Sequence, residues 1–230
     1  MNATLLQQAW FFCHSTFISL YVVSLISPVF GLSSQSMQLF ATLFATLGYM
    51  IVLYQTHMVT PFNKTTIMKN ENTLYFILLL NMLMTRTNFG SIVFPLMVYS
   101  IFHIAGYLIS GPYAISMNMK SRLQNLVSIQ SPIIIMAAKL EVVSIASLLV
   151  TYLSGKTPLY FFIFYVWFII NRYSSSAIMK TAFSEFRVGA NQIACSSKCP
   201  KILSNLIQSG INALSRFGTT LTHVSANKSQ

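Results

Sequence analysis

Few residues in this chain combine a reactive side chain with a spacing that suits chemistry. Lys139 and Glu141 lie inside one apolar run. Charges in such runs are costly and mark ion paths or proton relays in membrane proteins. Two positions apart on a helix, they point about 200° from each other, so they do not pair directly. Lys139 is close enough to Pro132 for its stem to carry the ammonium to the interface, whereas Glu141 sits deeper and needs a proton or a partner on another helix. Two readings follow: a small transporter or channel using Glu141 and Lys139, or a structural polar contact, which is preferred. His14, His57, His103 and His223 lack ligand spacing, and His103 reads as an interhelical hydrogen-bonding residue. Cys195 and Cys199 form a C-x3-C with no second pair or adjacent His, so no zinc site is expected. With Cys13, they read as reduced thiols or as a lipidation site. There is no G-x-S-x-G, no HExxH, no phosphate-cradling glycine loop and no acidic metal cluster. No catalytic residue, metal or cofactor is expected, and the chain is expected not to be an enzyme.

The elements that hold these residues are membrane helices. Of 230 residues, 54% are apolar and only 7% are charged, against about 25% charged in a soluble domain. Mean hydropathy is +0.63. That balance argues against a soluble enzyme, a disordered tail and a disulfide-stapled secreted domain. Apolar segments run over 10–32, 37–55, 73–84, 91–110, 132–153 and 159–170. The first has no preceding Lys or Arg and no clear cleavage site, so it reads as a retained helix. Segment 73–84 spans only about 18 Å as a helix, short of the about 30 Å hydrocarbon core. It is therefore either a partial-depth hairpin arm or an interfacial helix. Ser131 and Pro132 read as an N-cap and a first-turn proline, and Pro95 as a kink. The expected fold is all-α, a polytopic membrane protein of helical hairpins. Residues 1–173 form its membrane domain and 174–230 its cytosolic tail.

The charges are lopsided: 14 Lys and Arg against 3 Glu. Pairing the apolar segments as hairpins puts Lys64, Lys69, Lys120, Arg122, Arg172, Lys180, Arg187, Lys198, Lys201, Arg216 and Lys228 on one side. Arg86 and Lys156 fall on the other. The positive-inside rule then places both termini in the cytosol. The sequons at Asn2, Asn63 and Asn227 are expected to stay unmodified there.

The tail carries two amphipathic stretches. In 201–221, Ile202, Leu203, Leu206, Ile207, Ile211, Leu214, Phe217 and Leu221 share one half of a helical wheel. The polar half is mostly Ser, Asn and Gln, with Lys201 and Arg216 as its charges, a composition that binds bilayers through apolar insertion. In about 177–194, Ile178, Met179, Ala182, Phe183, Phe186, Ala190 and Ile193 share a face. Both helices are expected to lie along the cytosolic leaflet, although a helix packed on the same protein has the same pattern.

Phe94-Pro95 through Ser100, His103 and Tyr107, Glu141 in a later helix, Asn171-Arg172-Tyr173-Ser174-Ser175, and Phe183-Ser184-Glu185-Phe186-Arg187 resemble the transmembrane protein 33 family over roughly residues 15–220. Ser176, Ala177 and Ile178 depart from the more basic run of animal members. The resemblance implies a non-enzymatic protein of the endoplasmic reticulum and nuclear envelope that shapes or stabilises curved membrane and helps organise nuclear pores. It also implies reticulon-type shaping proteins and nuclear pore membrane components as partners, beside the lipid bilayer, with no direct nucleic acid.

Overall fold

The computed structural model describes residues 3–31, 33–59, 70–87, 90–111, 115–196, 200–201, 204–205 and 209. Within them lie eight α-helices: α1 (Ala3–Ile26), α2 (Ser34–Val59), α3 (Glu71–Thr85), α4 (Gly90–Ser110), α5 (Met117–Ser128), α6 (Gln130–Leu153), α7 (Leu159–Ser175) and α8 (Ala177–Ala194). Four stretches are long and apolar enough to cross a membrane: Leu5–Phe30, Ser34–Thr56, Gly90–Ser110 and Gln130–Leu153. The chain is a polytopic, all-helical membrane protein.

Sequence chemistry sets most boundaries. Pro28 cannot continue α1, which ends at Ile26; a 3-10 turn, Ser27–Phe30, then closes on Gly31 in the left-handed region at φ 69°. Asn70 caps α3 by accepting from the Asn72 amide, and Glu71 places an acid in the first turn. Ser154 to Pro158 is the tight turn expected, with Gly155 at φ 71°. Ser131 is not the cap of α6. That helix starts at Gln130, and Pro132 falls on an early position whose missing N–H costs nothing, because the first amides of a helix have no partner.

Successive helices of the bundle, α1 to α4, α6 and α7, run antiparallel. Tyr21, late in α1, donates to the carbonyl of Gly90 at the start of α4 (2.9 Å), while Trp10, early in α1, meets Tyr107 near the end of α4 (5.7 Å between rings). Tyr152 stacks on Phe162 across the α6–α7 turn. The starts of α1, α3 and α6 and the ends of α2, α4 and α7 therefore share one end of the bundle. Both α5 and α8 belong to it too, so it is called the basic end below. Arg86 and Lys156 sit in short turns at the other end.

Helices α3 and α7, of 15 and 17 residues, reach about 22 and 25 Å, yet they form much of the core. Leu74, Leu78, Leu79 and Met82 of α3 meet Phe161, Tyr165 and Phe168 of α7 among the fully buried side chains. Thus α3 is a bundle helix, and the interfacial alternative for 73–84 is set aside. Lipid tails are as apolar as Leu, so close packing and polar contacts hold such a core together. Ala41, Ala45 and Gly48 supply the close approach on α2: a Cβ on Gly48 would stand 3.0 Å from the His14 imidazole of α1.

Two features differ from the sequence reading. The polar stretch after Gly111 contains α5, capped by the Ser116 hydroxyl on the Met119 amide, with no buried residue. And α8 docks on the bundle. Met179 and Ala182 are buried, and Phe183 meets Tyr173 edge-on at 5.0 Å, whereas Ile178, Val188 and Ile193 stay exposed. Its apolar side thus divides between the protein and the outside. Of the last amphipathic stretch, Lys201 is described and exposed. Ile202, Leu203, Leu206, Ile207, Ile211, Leu214, Arg216, Phe217 and Leu221 lie outside the described residues.

Candidate functional site

A polar cluster is buried near the basic end, and Arg172 is its centre. The apolar run 159–170 does not stop at Asn171; helix α7 continues to Ser175 and carries Arg172 inward. The side chain is 2% exposed. It was expected among the cytosolic cations that set the topology, and is instead an interior residue. An arginine stays charged in such a place, so it must be met by anions and aromatic faces.

Three groups meet it. Its Nη1 donates to the Glu71 carboxylate at the head of α3, which is partly open to solvent. Its Nε faces Glu141 Oε2 of α6 at 3.6 Å, an ion pair beyond hydrogen-bond length. Its guanidinium carbon lies 4.7 Å from the centre of the Tyr75 ring, a cation–π contact with α3. Glu141 is fixed from the other side: the Tyr75 hydroxyl donates to Oε1 at 2.6 Å, and the Tyr165 hydroxyl of α7 donates to the Glu141 backbone carbonyl at 2.9 Å. Tyr49 of α2, Tyr99 of α4 and Phe168 of α7 surround the Tyr75 ring at 5.5 to 5.8 Å. One cluster therefore ties α3, α6 and α7 by charge and α2 and α4 by ring contacts.

Lys139 and Glu141 do not pair, as their helical angle requires. Lys139 instead forms an ion pair with Glu185 of α8, where both side chains are partly exposed, at 29% and 47%. So the three carboxylates, Glu71, Glu141 and Glu185, are all engaged by cations of other helices. The two residues on which a transport reading rested are held by different partners, and each is used as a fastening.

The remaining family-motif residues spread over three places. Glu141 and Arg172 meet in the cluster. Glu185, Tyr173 and Phe183 hold α8 to the bundle, where Phe186 is half-buried and Arg187 exposed. The Ser174 hydroxyl donates to the Asn171 carbonyl at 2.8 Å. Pro95 is buried within α4, Phe94 is at its surface, and His103 faces Trp10 and His14 of α1 at 6.3 Å. A histidine link between α1 and α4 does exist, but at His14, whose Nδ1 is 2.8 Å from the Ser100 hydroxyl.

The family model for Transmembrane protein 33/Nucleoporin POM33 matches residues 1–220. The chain belongs to this family. Its match extends further toward the N-terminus than the motifs quoted above. No curated protein and no solved structure matches the chain. Membership agrees with the multi-pass helical bundle and links the chain to the membrane of the nuclear pore.

The sequence reading missed Glu71, Tyr75 and Tyr165. Glu71 falls just outside the apolar segment 73–84, yet it is one of only three acids in the chain and opens an apolar helix behind a capping Asn. That scarcity was the available signal: in so apolar a chain, each carboxylate needs a cation.

Proposed function

We propose that this chain is a non-enzymatic protein of the endoplasmic reticulum and nuclear envelope, which stabilises curved membrane and helps organise nuclear pores. Both termini face the cytosol in this reading. One observation carries it: both extra-bundle helices, α5 and α8, sit at the basic end, whereas the opposite end has only short turns. Both present apolar side chains outward, Met117 and Met119 on α5 and Ile178, Val188 and Ile193 on α8. Apolar insertion at one leaflet, without a counterpart in the other, favours bending toward that leaflet. The amphipathic pattern of 201–221 adds a third element of the same kind, and the family description supports a place at the nuclear pore. Reticulon-type shaping proteins and pore membrane components are the proposed partners.

Imaging of the tagged full chain tests this. Enrichment on reticulum tubules and the nuclear rim is expected, with irregular pore spacing when the chain is removed. Even spreading over flat reticulum sheets, with unchanged pore spacing, would oppose the reading. Substituting Leu206→Asp together with Ile207→Asp is expected to lower tubule enrichment. For topology, a sequon placed in the 154–158 turn is expected to be glycosylated, and native Asn63 is not; the reverse pattern inverts the orientation.

A further inference from the structure

We propose that a cavity at the basic end, walled by α1, α2, α3 and α4, binds a phosphocholine group. The cavity has a volume of about 340 Å³ and opens to the outside. That size falls within the range of small-molecule sites. Three amides mark its outer part: Gln7 early in α1, Gln55 late in α2 and Asn72 in the first turn of α3. His14 and Tyr49, both buried, lie further in. Gln7 and His14 are seven residues apart on one helix, so the cavity runs inward by about 10 Å. Its mouth is therefore at the helix ends, where a bilayer places its headgroups.

The lining selects the chemistry. Trp10, Tyr49 and Tyr107 supply aromatic rings, with Trp10 5.7 Å from Tyr107 and His14 5.8 Å from Tyr49 between centroids. His103 adds a second imidazole, 6.3 Å from Trp10. Among the described residues that line the cavity there is no lysine, arginine or carboxylate. An anionic headgroup would lack a basic partner there, and a simple cation would lack an acid. A zwitterion, with no net charge, matches described lining residues that carry none. Aromatic faces hold a trimethylammonium through cation–π contact. A primary ammonium, by contrast, needs several hydrogen-bond acceptors. The amide N–H groups of Gln7, Gln55 and Asn72 and the imidazoles offer donors to the phosphate. Phosphocholine has both halves, with a membrane lipid or a soluble ester as its source.

The full chain, purified in a choline-free maltoside with Trp167→Phe, keeps Trp10 as its only tryptophan. It is titrated with short-chain phosphatidylcholine below its micelle concentration, and Trp10 fluorescence and lipid retained by mass spectrometry are followed. Saturable binding is expected, at least tenfold tighter than to phosphatidylethanolamine or phosphatidylglycerol of equal chain length. Free phosphocholine binding equally well would identify a soluble ester as the source; a requirement for acyl chains would identify the lipid. Tyr107→Leu is expected to weaken binding tenfold. Gln7 is exposed, so Gln7→Lys keeps the fold, and it is expected to erase the discrimination against phosphatidylglycerol. No saturable binding, equal response to all headgroups, or full selectivity in Gln7→Lys overturns the proposal.

Discussion

Replacing Arg172 by Met removes the cation from the buried cluster and keeps most of the side chain's bulk. Glu71 loses little, because its carboxylate is 42% exposed and turns to water. Glu141 loses much. Its carboxylate is 3% exposed and keeps the Tyr75 hydroxyl as a hydrogen-bond donor. Breaking a buried pair from one side costs about 3–5 kcal/mol, most of it the uncompensated charge. For a chain of this size, that lowers the melting temperature by about 6–20 °C, at about 2–4 °C per kcal/mol. Glu141→Gln is milder: its amide oxygen still accepts from Tyr75, and Arg172 keeps Glu71. About 1–2 kcal/mol is expected. The double variant separates the causes. If the penalty of Arg172→Met is the stranded Glu141 charge, then Glu141→Gln removes that penalty, and the pair together loses only about 1–2 kcal/mol. The assay is thermal unfolding of the purified full chain in one detergent. Additive losses, or an Arg172→Met variant melting within about 2 °C of the parent, would refute the account of the cluster.

Other changes test the packing. Lys139→Ala should cost at most about 1 kcal/mol, since both partners of the Lys139–Glu185 pair are partly solvated; a larger loss by the same melt would mean α8 depends on that pair. Gly48→Ala should destabilise by about 1–3 kcal/mol, because the new methyl meets His14 at 3.0 Å, whereas Gly106→Ala, with nothing within 4 Å, should stabilise α4 by about 1 kcal/mol. Equal effects at the two glycines would show that the His14 contact does not matter. Phe168→Ala should cost about 3 kcal/mol through the void it leaves between α3 and α7, and a wild-type melt would place the core elsewhere.

Long apolar runs and their turns were legible in the sequence, because a bilayer leaves the backbone no alternative to helix. The pairing of 132–153 with 159–170 through Ser154–Pro158 stands, and so does the amphipathic segment at 177–194. What escaped is non-local. Arg172 follows twelve apolar residues and Asn171, and looks like the polar edge of a span; what makes it interior is a carboxylate 101 positions earlier, at Glu71. Likewise, the Tyr75 hydroxyl finds Glu141 across 66 positions. Hydrophobic periodicity reports which side of a helix is apolar and says nothing of a partner so distant. Helix α5 escaped for a different reason: its Leu123, Leu126 and Val127 are half-buried at best, so its apolar stripe is thin.

The engagement of every carboxylate inside the fold has an outward consequence. Of the nine described basic residues, Arg172 and Lys139 draw on those acids, leaving seven described cations without an acidic side chain of the chain's own. Their counterions must come from the surroundings. Anionic phospholipids of the adjoining leaflet supply them at about 1 kcal/mol per basic residue near the surface. Two copies approaching side by side in a neutral bilayer would repel, and the same two in an acidic patch would share its lipids. Lateral clustering of this protein is thus expected to follow the local lipid charge and to weaken with salt, over a screening length of about 8 Å.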